Sequence, residues 1–447
     1  MARRGVILGG GTAGTLTANR LRRSAGHDTE IVVFDRDDRH LYRPGLLFVP
    51  FGMAPPARLA RPRARQLLSG IGFHQAGVDR VDLETKTVAL DDGETVAYDV
   101  LVIATGARLA PEKTECLTGP GSGRTVHTFY SLDGAAALAG AMARFQGGRL
   151  VVNLVDLPIK CPVAPLGFCF LTDWFLSRRG LRDCVQLTYV TSLDGAFTKA
   201  TCNRELSGLL KDKGVEVATE FATGEVDGEG GRLVSYEGRE VPFDFAVVVP
   251  LHEGAEYVGR SEGLGDPLGF VPTDDQLQAA KAWPGVFVVG DATHLRASKA
   301  GSVAHFEGEI LVHNVRRYLA GEPPDARFGG HTNCFIESGF GLAPLIDFND
   351  TLDPVTGRFP GPVSLPLLME SRLNHVGKLA FEHLYWHVLL PGRPGESDRN
   401  LSSSEVDDDD ADLCRARGGA RCRGVLRRSP AVERGHGGRD RRRPRHP

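Results

Sequence analysis

Residues 3–35 read RRGVILGGGTAGTLTANRLRRSAGHDTEIVVFD. The stretch RRGVILGG (3–10) reads as a β-strand, TAGTLTANRLRR (12–23) as a helix and TEIVVFD (29–35) as a second strand. At the first junction Gly9, Gly11 and Gly14 form G-x-G-x-x-G. The first glycine permits a tight turn, the second lets a pyrophosphate approach the backbone, and the third allows close helix packing. The positive end of the helix then faces the phosphates. Asp35 ends the next strand about twenty residues later, where a carboxylate accepts from a ribose hydroxyl. A lone glycine triad is weak evidence. With strand, helix and acid in register, it reads as a dinucleotide site.

Outward from this unit, strand and helix patterns alternate to about residue 320, which argues for a doubly wound α/β fold. YDVLVIATGA (98–107) is another apolar strand entering a glycine turn. A second unit starts at RLVVNLV (149–155), continues through the helix-like APLGFCFLTDWFLSRRG and the strand VQLTYV, and closes with FDFAVVVP (243–250). WPGVFVVGDAT (283–293) reads as a return to the first domain. The expected organisation is two Rossmann-like domains: 1–115 with 262–330, and 116–261. An irregular C-terminal region, 331–391, follows. From 392 to 447 an acidic run and then arginine-rich blocks with few apolar groups predict a disordered tail. So abrupt a change of composition is also compatible with an out-of-frame extension.

The net charge of −3 gives no global case for nucleic-acid binding. Eight cysteines in 447 residues do not make a disulfide scaffold, and no metal site is expected. The first strand begins almost at residue 1, leaving no room for a secretory apolar core, and Asp173, Arg178 and Arg179 break the best spanning candidate. The expected place is the cytoplasm, on the inner face of a membrane. Any cysteine pair of consequence there is more plausibly catalytic than structural.

Glycines do not separate FAD from NAD. Two later segments do better: ATGA (104–107) and GVFVVGDAT (285–293) look like the remaining parts of the triple signature of two-dinucleotide flavoproteins. That resemblance implies FAD in the first domain, held at Gly9, Gly11, Gly14 and Asp35, at Ala104, Thr105 and Gly106, and at Gly290, Asp291 and Lys299. The second unit is different. Its turn reads Asp156-Leu157-Pro158-Ile159-Lys160-Cys161-Pro162, with no glycine before Gly167. Side chains there block close backbone approach to a pyrophosphate, and two prolines remove donors. Nicotinamide binding is disfavoured, so the electrons come from something else. Cys161 stands at the predicted start of a helix beside Lys160, and both features favour the thiolate.

The segment LPIKCPVAPLGFCFLTDWFLSRRGLRD resembles the Cys-Pro-x-Ala-Pro region of the sulfide:quinone oxidoreductase family, relatives of flavocytochrome c sulfide dehydrogenase. HLYRPGLLFV (40–49), SKAGSVAHFEG (298–308) and TNCFIESGFG (332–341) match the same pattern, so the resemblance covers about residues 4–391. It implies oxidation of sulfide to sulfur or polysulfur through a Cys161–Cys334 redox pair, with electrons passing through FAD to a quinone. It also implies that Phe335 lines the quinone pocket and that the region around Lys378 approaches flavin or membrane. Many members carry a third cysteine where this chain has Tyr130, and some attach FAD through it; FAD is therefore expected to be non-covalent here. Gly167 and Cys169 also stand where bulkier or acidic residues are expected.

Segment 364–391 mixes Leu, Phe, Tyr and Trp with His and Lys, which suits peripheral membrane contact as well as a core-packing helix. A homo-oligomer stays open. Three rivals remain at this stage: a sulfide dehydrogenase subunit handing electrons to a cytochrome, a type II NADH:quinone oxidoreductase, and a non-catalytic flavin-fold redox sensor.

Overall fold

The computed structural model describes residues 3–24, 29–279, 283–359 and 364–393. The expectation of a disordered tail over 392–447 falls, from residue 394 on, outside the described residues. Among the described residues, seven α-helices organise the fold: α1 (Thr12–Ser24), α2 (Leu132–Arg144), α3 (Ala164–Arg178), α4 (Ala200–Asp212), α5 (Glu256–Arg260), α6 (Gly301–Ala320) and α7 (Arg372–Leu384).

Two five-stranded sheets carry the architecture, and both are wholly parallel. The first runs in the spatial order Val286–Val288, Val100–Ile103, Arg3–Leu8, Thr29–Asp35, Ile71–Gln75. Its central strands are apolar on both faces, as the cover of helices on a parallel sheet requires; Val100–Ile103 is buried throughout. The strand at 286–288 joins this sheet beside Val100–Ile103, so the chain does return to it after the second unit. The second sheet runs Val126–His127, Phe245–Val249, Gly148–Leu154, Val185–Thr191, Val215–Ala218. In such sheets ligands sit outside the carboxyl ends of the strands, where the order reverses.

The ten-residue motif around Tyr42 forms a tight helical run, Arg43–Phe51, whose apolar side chains are buried. Phe51 meets Phe168 of α3 with ring centroids 5.0 Å apart, and Phe129 stacks on the same ring at 4.9 Å. These aromatic contacts lock α3 to the run before it and to the residues leading into α2. Gly167 is small for the same reason: a Cβ there would lie 3.2 Å from Leu47 Cδ2. Cys169 is fully buried, and burial pushes its thiol pKa far up, so it behaves as an apolar filler.

After residue 330 the chain builds a small sheet from Thr332–Phe335, Leu345–Phe348, Pro366–Leu367 and Gly357–Arg358. The segment expected to meet a membrane becomes α7 followed by a π turn, Tyr385–Leu389. Ser371 caps α7 by accepting from the Asn374 amide at 3.0 Å. Among the described residues, no helix is long and apolar enough to cross a membrane.

Candidate active site

The glycine turn has the geometry its spacing predicted. Gly9 has φ +93°, and a Cβ on it would sit 2.6 Å from the Ala104 carbonyl oxygen. At Gly14 a Cβ would come within 1.8 Å of the Gly9 oxygen, so only glycine lets α1 pack here. Gly11 differs: nothing lies within 4 Å of its missing Cβ, and its side of the turn is an open cradle. Asp35 accepts from the Gly10 amide at 2.7 Å and pairs with Arg63 at 3.0 Å, which fixes its carboxylate at the lip of that cradle.

The other two elements of the triple signature border the same strand ends. Ala104 N–H donates to the Leu8 carbonyl at 2.8 Å, Thr105 Oγ1 lies 3.3 Å from Tyr257 Oη, and Gly106 turns the chain at φ +67°. Gly290, at φ +73°, donates its amide to Glu307 Oε2 at 2.5 Å. Glu307 is buried, which raises its pKa to about 8, and its Oε1 has no partner. Lys299 donates to the Asp291 and Thr293 carbonyls at 3.0 and 2.9 Å, and burial lowers its pKa. A cradle kept open by Gly11, a helix N-terminus, two flanking carboxylates and an orphaned buried acid oxygen together fit a bound dinucleotide.

In the second unit the corresponding turn carries side chains where glycines would be needed. Ile159 and Lys160 are buried, and Lys160 Nζ donates to the Ala107 carbonyl at 2.9 Å. Next to it Cys161 donates its amide to the Lys299 carbonyl at 2.6 Å and is held at φ +50°. A non-glycine residue in that region is costly and persists only where surrounding contacts hold it. The Ala164 amide, at the start of α3, donates back to the Cys161 carbonyl at 2.9 Å.

Cys334 lies on the strand Thr332–Phe335, opposite Ile346, and its thiol is hydrogen-bonded to that of Cys161. Both cysteines are partly exposed. The hydrogen bond from Cys334 lowers the Cys161 pKa most; burial opposes it, and the Lys378 ammonium and the Ala164 amide add to the lowering. The same bond raises Cys334 well above the usual thiol range, with burial and the Cys161 charge adding to it, while Lys378 and the Ser302 hydroxyl oppose. One expectation needs correction. Lys160, adjacent in sequence, directs its ammonium to a backbone carbonyl, and the cation that acts on Cys161 is Lys378 of α7.

Tyr130, at the place of the third cysteine, is buried and donates from its hydroxyl to the Cys161 carbonyl at 3.4 Å. Cys116 is exposed and bonded to Glu225, away from this pair. On the other side of Cys334, the Phe335 ring packs against Gly377 of α7; a Cβ there would lie 3.0 Å from Phe335 Cζ. His375 Nδ1 contacts both oxygens of the buried Glu337 at 3.0 and 2.9 Å. Sequence reading missed Glu337, His375 and Ser302; the only available signal was the i, i+3 spacing of His375 and Lys378 on one helix face.

With the geometry in place, comparisons place the chain among known proteins. Residues 3–152 match the family described as pyridine nucleotide-disulphide oxidoreductase. The mitochondrial sulfide:quinone oxidoreductase of Mus musculus is 24% identical over 393 residues, covering 87% of this chain and 86% of that protein. A chlorobenzene dioxygenase ferredoxin reductase component from Cupriavidus is 30% identical over 308 residues, covering 65% of this chain and 67% of that protein. The solved sulfide:quinone oxidoreductase of Aquifex aeolicus superposes with a TM-score of 0.75 at 19% identity, covering 90% of this chain and 95% of that one.

Proposed function

This chain belongs to the sulfide:quinone oxidoreductase family, FAD-dependent oxidoreductases of the doubly wound fold, and on that premise we propose that it oxidises sulfide through Cys161 and Cys334 and delivers the electrons to a membrane quinone. The observation that carries this reading is the hydrogen-bonded thiol pair, assembled from two distant parts of the chain beside the Lys299 backbone. Against a nicotinamide dinucleotide in the second unit stands the turn itself, which carries Ile159 and Lys160 where glycines would be needed. In this reading the strands of 1–115 and 262–330 form the FAD domain, and 116–261 supplies the face that carries Cys161.

FAD, bound non-covalently at the glycine cradle, supplies a two-electron acceptor. The residues do the rest. In the oxidised form the two sulfurs form a disulfide, and hydrosulfide attacks one of them. The S–S bond breaks as the new one forms, leaving a persulfide on one cysteine and a thiolate on the other. The better leaving group is the thiol of lower pKa. The Lys378 ammonium favours the thiolate of either cysteine and so assists whichever sulfur leaves. Tyr130 closes the site from behind Cys161.

Phe335 and Lys378 line the proposed quinone pocket, and Gly377 lets the Phe335 ring pack directly against α7. Outward from it, α7 exposes Leu373, Val376, Leu379 and Leu384, while Asn374, His375 and Lys378 face the protein. That apolar stripe suits peripheral attachment to the bilayer interface.

The test is anaerobic mixing of the purified protein with sulfide, and separately with NADH, while flavin absorbance is followed. Sulfide bleaches the flavin and NADH does not. Cys161→Ser and Cys334→Ser each abolish the sulfide response yet keep FAD bound; unchanged bleaching rates in both variants would end this reading. Turnover with a soluble quinone separates the enzyme from a sensor that holds FAD without catalysis.

A further inference from the structure

The π turn that follows α7 reaches the FAD cradle directly. Tyr385 Oη lies 2.7 Å from Thr12 Oγ1 and 2.7 Å from His40 Nε2, and His40 Nδ1 lies 3.2 Å from the Gly10 carbonyl oxygen. The directions of these bonds are fixed by elimination. His40 is fully buried and burial keeps it neutral, so one ring nitrogen donates and the other accepts. The Gly10 oxygen accepts only, so Nδ1 carries the hydrogen. Nε2 then accepts from the Tyr385 hydroxyl, which itself accepts from Thr12.

Beyond this chain, the segment is fastened to α1 at three further points. Asn19 Nδ2 donates to the Leu390 carbonyl at 2.8 Å, Arg23 Nε donates to Pro391 at 3.1 Å, and Gly392 packs against Arg20, where a Cβ would lie 2.9 Å from Cγ. Trp386 meets the edge of the His40 ring at 5.5 Å and is covered by Arg61 at 4.1 Å. Single-turn π segments often mark functional positions, because the extra residue re-aims a side chain. Here it aims Tyr385 into the turn between Gly9 and Gly14.

We propose that Tyr385 is a positioning residue for the dinucleotide turn, and that it makes retention of FAD and seating of α7 a single linked event. The turn holds its shape best when α7 is docked, and α7 docks best on a turn that FAD has ordered; linkage makes the two effects reciprocal. Neither sulfide nor quinone enters the argument, so its outcome is independent of the reaction proposed above.

The experiment uses the full-chain holoprotein. On dilution, FAD release is followed by the rise of free-flavin fluorescence, and hydrogen exchange is followed over residues 9–14 and 372–393. Tyr385→Phe removes one donor and one acceptor, leaving His40 Nε2 and the Thr12 hydroxyl unpaired in a buried place. FAD then dissociates about tenfold more readily, and both segments exchange faster together. His387→Ala, an exposed neighbour, matches the unaltered protein. Equal FAD release from Tyr385→Phe and the unaltered protein overturns the proposal. So does exchange over 372–393 that stays constant in the unaltered protein as its FAD leaves, a result that requires no variant to fold.

Discussion

Around Cys161 the charge that matters comes from far along the chain. Sequence adjacency pointed to Lys160, but backbone direction decides where a side chain goes, and at φ +50° the two residues point apart. Lys378→Met removes the cation acting on Cys161, so the thiol is harder to ionise and its pKa rises. In the reduced protein, alkylation of Cys161 by iodoacetamide slows near neutral pH and its midpoint moves to higher pH. Lys160→Met leaves the midpoint in place. Equal shifts in both variants would return the role to the neighbouring lysine. The cysteines themselves were legible, Cys161 from its flanking prolines and Cys334 from family resemblance. Their encounter was implied by the resemblance alone, because no local pattern encodes contact between a turn in one sheet and a strand that follows the other.

Among the elements, those with a strong period were readable and short ones were not. TEIVVFD forms the strand Thr29–Asp35 as expected, and APLGFCFLTDWFLSR forms α3. The C-terminal sheet escaped notice because its strands are two to four residues long, too short for alternation to register. The glycines of the first turn also divide by task in a way that spacing alone conceals. Gly14→Ala forces a Cβ onto the Gly9 oxygen, so α1 shifts and the protein loses stability whether or not FAD is present. Gly11→Ala meets no protein atom within 4 Å, so thermal unfolding of the FAD-free protein stays near that of the unaltered chain while FAD affinity falls. Measuring melting temperature with and without FAD separates the two. A Gly11→Ala protein that melts early without FAD would show that the cradle is not open.

For the whole molecule, the proposed delivery of electrons to a membrane quinone needs a route to lipid, and among the described residues no helix is long and apolar enough to span a bilayer. The stripe of Leu373, Val376 and Leu379 on α7 lies on the face opposite Lys378, so the proposed lipid-facing surface and the side that acts on Cys161 are one helix apart. Replacing those three residues with serine abolishes flotation with phospholipid vesicles and slows turnover with a long-chain quinone, while sulfide still bleaches the flavin at its normal rate. Normal flotation of the triple variant would move the attachment elsewhere. Composition hinted at this surface but left a core-packing helix equally open, since a helix with two such faces serves either purpose until its neighbours are known.

The order in which the parts lie along the chain has a consequence for biosynthesis. As the polypeptide leaves the ribosome, both parallel sheets and the cradle are complete before Cys334 appears, and Lys378 arrives later still. Until then Cys161 is a solitary, weakly activated thiol with nothing to exchange with. In the proposed reaction, reactivity toward small sulfur species therefore waits until Cys334 and Lys378 have been synthesised.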